Sequence, residues 1–270
     1  MQTTGKGLEI KANGITICYD DLGRGGVPII FIHGFPFDKS SWEPQMDFLS
    51  QTNRVIAYDI RGFGKSASGN EKLSMGLFAD DLIKFMDALQ IKKAIVCGLS
   101  MGGYILMNAV NRYPNRFEAI ILSDTQCIAD SPETKMKRGK TMEQVEAYGT
   151  TEFASSFVEV VFCKESLNSK GELVEKIKNI IRTTPQETII GTLNALAQRH
   201  EMCSCLGKIN IPALILCGKE DTVTPMIQSE FLLKKIANST LHSISNAGHL
   251  PNLEQPDVFN EHVNGFILKL

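Results

Sequence analysis

The chain has 270 residues, of which 43% are hydrophobic and 21% are charged, and its formal net charge is −2. This length fits one large α/β domain with room for an inserted subdomain. The balanced charge gives no sign of a nucleic-acid or membrane partner, and the apolar runs are too short to span a bilayer. Because the first residues contain no apolar stretch typical of a secretory signal, we expect a cytoplasmic protein.

Short apolar runs alternate with amphipathic segments along the first half of the chain. Residues 8–21 predict a β-hairpin with Asn13 and Gly14 at its turn. Further strands are predicted at "VPIIFIHG", "NRVIAYD", "KKAIVCG" and "FEAIILSD", and helices at "SSWEPQMDFLS", "SMGLFADDLIKFMDALQ" and "SMGGYILMNAVNRYP". Ser74 is the predicted N-cap of the second helix, and Pro114 is expected to stop the third. This rhythm predicts an α/β fold with a mostly parallel sheet covered by helices on both faces.

The alternation stops between residues 126 and 207 and then resumes. This middle segment has helical periods and no convincing strand. After it, "IPALILCGKED" and "STLHSIS" predict two more strands, with helices near 226–237 and from about residue 256. We therefore expect residues 1–125 and 208–270 to form an α/β core, interrupted by a helical insertion.

A serine stands among glycines in "VCGLSMGGY", residues 96–104. Ser100 follows a predicted strand, and functional groups gather at the carboxyl ends of the strands in a parallel sheet. Gly98 and Gly102 remove side chains that would collide in a sharp turn between strand and helix. The pattern G-x-S-x-G could arise by chance, but its place between a strand and a helix favours a nucleophile elbow.

A serine nucleophile needs a base that takes its proton, and the base needs a carboxylate that orients it. His249 lies in the loop after the last predicted strand, where it could reach Ser100. Asp221 follows another strand and is the favoured carboxylate, while Asp124, which also ends a strand, is its rival. The order Ser100, Asp221, His249 is the order expected for a nucleophile elbow enzyme. The other histidines are expected to be solvated or structural: His33, His200, His242 and His262.

Acyl transfer passes through an oxyanion that needs N–H donors. The backbone amide of Met101, directly after the serine, is one candidate. The second donor should come from the loop after "IIFIHG", and the amide of Phe35 is the candidate there.

The seven cysteines are scattered and mostly lie inside apolar runs. We expect them to be reduced and buried, as in a cytoplasmic protein. Cys203 and Cys205 form a C-x-C pair with His200 nearby, but this set offers too few ligands for a metal site. We expect neither a metal nor an organic cofactor.

Five stretches of the chain together resemble the serine α/β-hydrolase superfamily. They are "FIHGFPFDKSSWEPQ" (31–45), "RVIAYDIRGFGKS" (54–66), "VCGLSMGGY" (96–104), "PALILCGKEDTVTP" (212–225) and "NAGHLPNLEQPDVF" (246–259). The resemblance implies an α/β-hydrolase fold with Ser100 as nucleophile, Asp221 as acid and His249 as base. It also implies that the amides of Phe35 and Met101 bind the oxyanion.

Within the superfamily, "HGFPFD…W" and "GLSMGG" look most like carboxylesterases, 3-oxoadipate enol-lactonases and bacterial perhydrolases. This resemblance implies hydrolysis of a small carboxylic ester or lactone, with residues 126–207 as a helical cap that shapes the pocket. The serine at position 100 argues against haloalkane dehalogenases, which carry aspartate there. The alternatives are C–C bond or thioester hydrolysis or perhydrolysis on the same triad, and a slow-turnover ligand sensor of the same fold. The expected partner is a small molecule, and the sequence leaves the oligomeric state open.

Overall fold

One eight-stranded sheet runs through residues 4–270, the part of the chain that this computed structural model describes. Its strands are β1 (Gly5–Ala12), β2 (Ile15–Leu22), β3 (Ile29–Ile32), β4 (Val55–Tyr58), β5 (Ala94–Leu99), β6 (Phe117–Ser123), β7 (Ala213–Gly218) and β8 (Ser239–Ile244). Their order across the sheet is β1-β2-β4-β3-β5-β6-β7-β8. From β4 to β8 all neighbours are parallel, whereas β1 and β2 add an antiparallel hairpin at one edge. The predicted, mostly parallel α/β sheet is confirmed.

The antiparallel hairpin turns where the sequence predicts. Asn13 and Gly14 connect β1 to β2 with backbone φ values of 47° and 78°. Both values lie in the left-handed region that an Asn-Gly pair tolerates. A two-residue turn with positive φ at both positions matches the twist of the two strands it connects.

Helices flank the sheet along the chain. They are α1 (Glu43–Leu49), α2 (Met75–Ala88), α3 (Met101–Arg112), α4 (Pro132–Tyr148), α5 (Thr150–Val161), α6 (Lys164–Ser169), α7 (Gly171–Thr183), α8 (Gln186–Ala197), α9 (Met226–Lys235), α10 (Pro251–Glu254) and α11 (Pro256–Ile267). The side chain of Ser74 accepts from the amide of Leu77 and caps α2, as predicted. Helix α3 ends at Arg112, two residues before Pro114. The strands β3, β4, β5 and β7 are buried along their whole length, which explains their unbroken apolar sequences.

Helices α4 to α8 occupy the interruption between β6 and β7. The two strands are parallel neighbours, with Ile120 opposite Ala213, so the insertion carries the chain from the carboxyl end of β6 back to the amino end of β7. Within residues 126–207, the structure contains helices and no strand, as the sequence predicts. Helix α4 packs against α8, and α5 packs against α7. The segment 126–207 is called the helical insertion below.

A disulfide joins the two ends of the helical insertion. Cys127 and Cys203 are bonded across a sequence separation of 76 residues. The expectation that every cysteine is reduced is therefore wrong for this pair, because no local pattern reveals a pairing between residues so distant in sequence. The bond also removes Cys203 as a thiolate ligand, so the C-x-C pair cannot bind a metal as a pair. The cytoplasmic location, which relied partly on reduced cysteines, stays a prediction.

None of the helices in residues 4–270 combines the length and the hydrophobicity needed to cross a bilayer.

Candidate active site

Four side chains with nucleophilic or ionisable groups follow successive parallel strands. Ser100 comes directly after β5, Asp124 after β6, Asp221 shortly after β7 and His249 in the loop after β8. Because these strands are parallel, their carboxyl ends meet at one edge of the sheet. The structure therefore gathers residues that lie up to 149 positions apart in sequence.

Ser100 stands on a strained turn between β5 and α3. Its backbone has φ 52° and ψ −111°, a conformation that residues with a side chain rarely adopt. Hydrogen bonds on both sides hold it there. The Ser100 amide donates to the carbonyl of Ser123 at 2.9 Å, and the Ser100 carbonyl accepts from Thr125 Oγ1 at 2.8 Å.

The glycines around Ser100 are required by close backbone packing. A Cβ atom on Gly98 would lie 2.4 Å from the carbonyl oxygen of Gly102. A Cβ atom on Gly102 would lie 2.3 Å from the carbonyl oxygen of Ile32. Neither backbone atom can move aside as a flexible side chain would, so only glycine fits at either position.

A continuous hydrogen-bond chain links Ser100, His249 and Asp221. Ser100 Oγ lies 2.8 Å from His249 Nε2, and His249 Nδ1 lies 2.8 Å from Asp221 Oδ2. With its proton on Nδ1, the imidazole donates to the carboxylate and leaves Nε2 free to accept from the serine hydroxyl. His249 and Asp221 are buried, whereas Ser100 is partly exposed.

The carboxylate of Asp221 is stabilised in its ionised form. Its Oδ1 accepts from the amides of Val223 at 2.8 Å and Thr224 at 3.1 Å, and its Oδ2 accepts from Thr224 Oγ1 at 2.7 Å. Burial by itself would raise the pKa of Asp221. The charge of His249 and the hydrogen bonds from His249 and Thr224 outweigh it and lower the pKa below its ordinary value.

Asp124, the rival acid, has different partners. Its Oδ1 accepts from the amide of Gly218 at 2.9 Å, and its Oδ2 accepts from Ser123 Oγ at 2.7 Å. Burial, followed by the neighbouring charge of Asp221, raises the pKa of Asp124 well above its ordinary value. The imidazole of His249 bonds to Asp221, so the geometry favours Asp221 as the orienting carboxylate.

One buried group within residues 4–270 has donor atoms close enough together for a metal ion. Asp124, Cys217 and Asp221 each offer a ligand atom within 4.8 Å of the others. However, their carboxylates already accept hydrogen bonds from Gly218 and Thr224. Burial also raises the pKa of the Cys217 thiol well above its ordinary value, and a protonated thiol is a poor ligand. This donor set does not fit a resident metal ion.

The turn that carries Phe35 lies directly against the elbow. A Cβ atom built on Gly34 would lie 3.4 Å from Ser100 Cβ. Within residues 4–270, neither the amide of Phe35 nor that of Met101 donates to a protein acceptor. Both N–H groups therefore remain available beside the serine, the property that an oxyanion site requires.

His33 contacts the backbone of this turn and of the segment after β4. It is fully buried, its Nδ1 lies 2.8 Å from the carbonyl oxygen of Gly34, and its Nε2 accepts from the amide of Ile60 at 3.0 Å. Burial lowers the pKa of His33, so its imidazole is neutral. These backbone partners fit the structural role predicted for it.

The remaining histidines lie outside the hydrogen-bond chain. His242 on β8 and His262 on α11 stack on each other, with ring centroids 4.3 Å apart. His200 is exposed near the end of the helical insertion. Their places fit the predicted solvated or structural roles.

Sequence reasoning missed two residues that hold the candidate triad. Thr224 donates to Asp221 through both its amide and its hydroxyl. Glu254, which is fully buried, accepts hydrogen bonds from backbone amides on both sides of His249. The one sequence signal for Glu254 is an acidic residue in the apolar surroundings of "HLPNLEQP".

Aromatic rings line the side of the site that faces the helical insertion. The ring centroid of Phe35 lies 6.1 Å from that of Phe153 and 6.0 Å from that of Phe157, both on α5. Phe157 also packs on Phe37, at 6.0 Å between centroids. Helix α5 therefore covers the Phe35 turn with an apolar surface.

A separate cavity is lined in part by residues of α3. It measures about 450 Å³, and its lining includes Tyr104, Gln126 and Arg199. Ser100, Asp221 and His249 do not belong to its lining. This cavity is therefore distinct from the candidate triad.

Comparison with known proteins agrees with this geometry. A family profile described as alpha/beta hydrolase fold matches residues 27–256. The 3-oxoadipate enol-lactonase 2 of Acinetobacter baylyi is 28% identical over 255 residues, which cover 94% of each chain. A solved thermophilic esterase from Thermogutta terrifontis superposes with a TM-score of 0.92 at 31% identity, covering 97% of this chain and 98% of that one. The solved enol-lactonase of Burkholderia xenovorans superposes with a TM-score of 0.90 at 26% identity, covering 97% and 100%. The chain belongs to the α/β-hydrolase family, as its motifs predict.

Proposed function

We propose that the protein hydrolyses a small carboxylic ester or lactone through an acyl-enzyme on Ser100, with His249 as base and Asp221 as acid. The observation that carries this proposal is the pair of 2.8 Å contacts from Ser100 Oγ to His249 Nε2 and from His249 Nδ1 to Asp221 Oδ2. The similarity to proteins named as esterases and enol-lactonases supports the same class of substrate. The partner is a small molecule.

In the first half of the reaction, Ser100 Oγ attacks the carbonyl carbon while its proton moves to His249 Nε2. The ionised Asp221 stabilises the imidazolium that forms and keeps the ring in the required orientation. The proton then passes from Nε2 to the departing oxygen. That oxygen leaves as an alcohol from an ester, and stays attached to the acyl group from a lactone.

In the second half, water attacks the acyl-enzyme. His249 takes a proton from the water and returns it to Ser100 Oγ, which releases the carboxylic acid. Besides the substrate and water, these steps use protein groups alone, so the proposal involves no metal or organic cofactor.

The amides of Phe35 and Met101 are the proposed donors to the oxyanion in both halves. Two features support them: the turn of Gly34 abuts Ser100, and both amides lack a protein acceptor within the described chain. Donors of this kind stabilise the transition state more than the ground state, because the full negative charge appears only on the tetrahedral intermediate.

We propose that residues 126–207 act as a cap over a core formed by residues 1–125 and 208–270. The support is the contact of Phe153 and Phe157 with the Phe35 turn. An apolar wall next to the proposed oxyanion site favours a substrate with an apolar group near its reacting carbonyl.

The proposal is tested by hydrolysis of p-nitrophenyl esters, from acetate to long acyl chains, and of a matching series of aliphatic lactones. The native protein should turn over one of the two series with a clear optimum in size. Ser100→Ala should lose that turnover, whereas Ser156→Ala, at an exposed position on α5, should keep it. Full activity in Ser100→Ala would contradict the proposal.

A further inference from the structure

Building on the proposed function, in which His249 takes the proton of Ser100, we propose that Glu254 is a positioning residue for His249. Glu254 ends the short helix α10 and is completely buried. Its carboxyl group bonds to backbone amides and to none of the three side chains of the candidate triad, so it can act on the imidazole only through the backbone.

Glu254 holds the loop on both sides of the base. Its Oε1 accepts from the amide of Gly248 at 2.8 Å and from the amide of Leu250 at 3.2 Å. These two residues are the chain neighbours of His249. Two hydrogen bonds to one carboxyl oxygen hold the backbone on both sides of His249.

The second carboxylate oxygen of Glu254 reaches the helical insertion. Its Oε2 accepts from the amide of Cys163, between α5 and α6, at 2.9 Å. The amide of His249 itself donates to the carbonyl of Val161 at 2.8 Å. All three backbone N–H groups from Gly248 to Leu250 are therefore bonded, two to Glu254 and one to the insertion.

The packing leaves little room for this loop to shift. A Cβ atom on Gly248 would lie 2.7 Å from the amide nitrogen of Cys163 and 2.9 Å from the carbonyl oxygen of Val161. The two backbones are thus in direct contact, and Glu254 bridges them at the point of contact. The carboxylate joins the base and the insertion into one unit.

Replacement of Glu254 by glutamine keeps the shape but exchanges one acceptor oxygen for an NH₂ group. Either the loop amides or the Cys163 amide would then face a donor, and an unpaired buried N–H group is costly. The loop should relax, and a catalytic group displaced by about 1 Å can lose roughly 100-fold in rate. We expect kcat to fall by about 10- to 100-fold in Glu254→Gln. KM should change by less than about threefold, because the proposed role acts on the base and not on substrate binding.

The experiment compares Glu254→Gln and Glu254→Asp with Asp21→Asn. Aspartate keeps the carboxyl group, but it is one methylene shorter and cannot reach both the loop and Cys163. The kcat of Glu254→Asp should therefore lie between the kcat of Glu254→Gln and that of Asp21→Asn. Asp21 is a matched control, since it is a buried carboxylate paired with Arg54 and lies in β2 away from the candidate site. Kinetics use the best p-nitrophenyl ester. Nuclear magnetic resonance follows hydrogen exchange at Gly248 and Leu250 and the Nδ1 proton of His249.

The proposal predicts a lower kcat, faster exchange at Gly248 and Leu250 and a shifted His249 proton signal in Glu254→Gln, with none of these in Asp21→Asn. Unchanged exchange and an unchanged His249 signal in Glu254→Gln would overturn it. Equal losses of kcat in Glu254→Gln and Asp21→Asn would also overturn it, since they would indicate a general loss of stability. If Glu254→Gln does not fold, the same readouts on Glu254→Asp decide.

The proposed function can fail separately from this inference. A native protein with no turnover that depends on Ser100 would contradict the proposed function. The exchange at Gly248 and Leu250 and the His249 signal do not need turnover, so they would still decide whether Glu254 positions His249.

Discussion

Asp124 and Asp221 follow neighbouring strands, and their carboxyl groups lie close together. Of the two, Asp221 bonds to the imidazole of His249, with 2.8 Å between Oδ2 and Nδ1. Their surroundings drive their pKa values in opposite directions. The pKa of Asp221 is lowered by its partners, and the pKa of Asp124 is raised by burial and by Asp221. At a pH between the two pKa values, the carboxyl group of Asp221 is ionised beside His249 while that of Asp124 keeps its proton.

The two aspartates should respond differently to the same substitution. Asp221→Asn should lower kcat by about 10³- to 10⁴-fold, because an amide favours the wrong imidazole tautomer. Asp124→Asn should keep kcat within about tenfold, since asparagine resembles the protonated carboxyl group. Steady-state kinetics on the best ester measure both variants. A larger loss in Asp124→Asn than in Asp221→Asn would reverse the assignment of the acid.

Stability should depend on pH through Asp124. Its carboxyl keeps a proton in the folded state at pH values where the unfolded chain, with an ordinary pKa of about 3.9, has released it. The contribution of Asp124 to the free energy of unfolding is therefore fully present below pH of about 4 and is lost as pH rises towards the folded pKa. Asp124→Asn has no such proton, so its stability relative to the native protein should increase across this range. Urea unfolding at several pH values between 4 and 8 measures the difference, and parallel curves for the two proteins would contradict the prediction.

The strained backbone of Ser100 predicts a difference between two inactive variants. Alanine at φ 52° suffers the same strain as serine, whereas glycine accepts this conformation. Ser100→Gly should therefore be more stable than Ser100→Ala by about 1 kcal/mol, although both lack the nucleophile. Guanidinium unfolding of the two variants, with activity as a check, tests this. Equal stability would mean that the turn stores no strain at this residue.

Two glycine-to-alanine changes should have opposite effects. Gly102→Ala places a Cβ atom 2.3 Å from the Ile32 carbonyl and should destabilise the protein by about 3 kcal/mol or more, with loss of activity. Gly139→Ala, within α4 and with no atom within 4 Å of the new Cβ, should stabilise it by roughly 0.5–1 kcal/mol through helix propensity. Thermal unfolding compares them. A tolerated Gly102→Ala would show that the close approach to β3 is not required.

The disulfide should contribute to stability in a way that a reductant can reveal. Cys127 and Cys203 close a loop of 76 residues, and the chain-entropy treatment gives about 4.5 kcal/mol for a loop of this length. Cys127→Ser combined with Cys203→Ser should lower the stability by about that amount. A strong reductant should lower the melting temperature of the native protein and leave that of the double variant unchanged. Identical effects of the reductant on both proteins would argue against the bond.

The sequence was sufficient to predict the edge of the sheet where the candidate site lies. Gly98 and Gly102 mark the sharp turn at Ser100, and the positions of Asp221 and His249 after their strands follow from the alternation of strands and helices. These signals are local, because backbone packing at an elbow restricts the residue types within a few positions. The sequence favours Asp221 over Asp124 without excluding Asp124, since both follow a strand and the path of the loop decides which one meets the imidazole.

Other features depend on contacts that leave no local pattern. The bond between Cys127 and Cys203 requires the two ends of the helical insertion to meet, and the folding of the whole segment 126–207 decides whether they do. The role inferred for Glu254 depends on backbone amides, which any residue except proline can supply. A carboxylate that accepts from Gly248 and Cys163 thus has no recognisable partner in the sequence.

The way in which the helical insertion is attached restricts how it can be exchanged or redesigned. Its two ends are joined at Cys127 and Cys203, so a foreign helical segment could in principle start and end there without changing the sheet. Such a graft would still have to present a carbonyl group at the place of Val161 and an N–H group at the place of Cys163, where the loop of His249 is bonded. Under the proposed role of the insertion as a cap, substitutions away from the turn between α5 and α6 are therefore the safer way to change the substrate range.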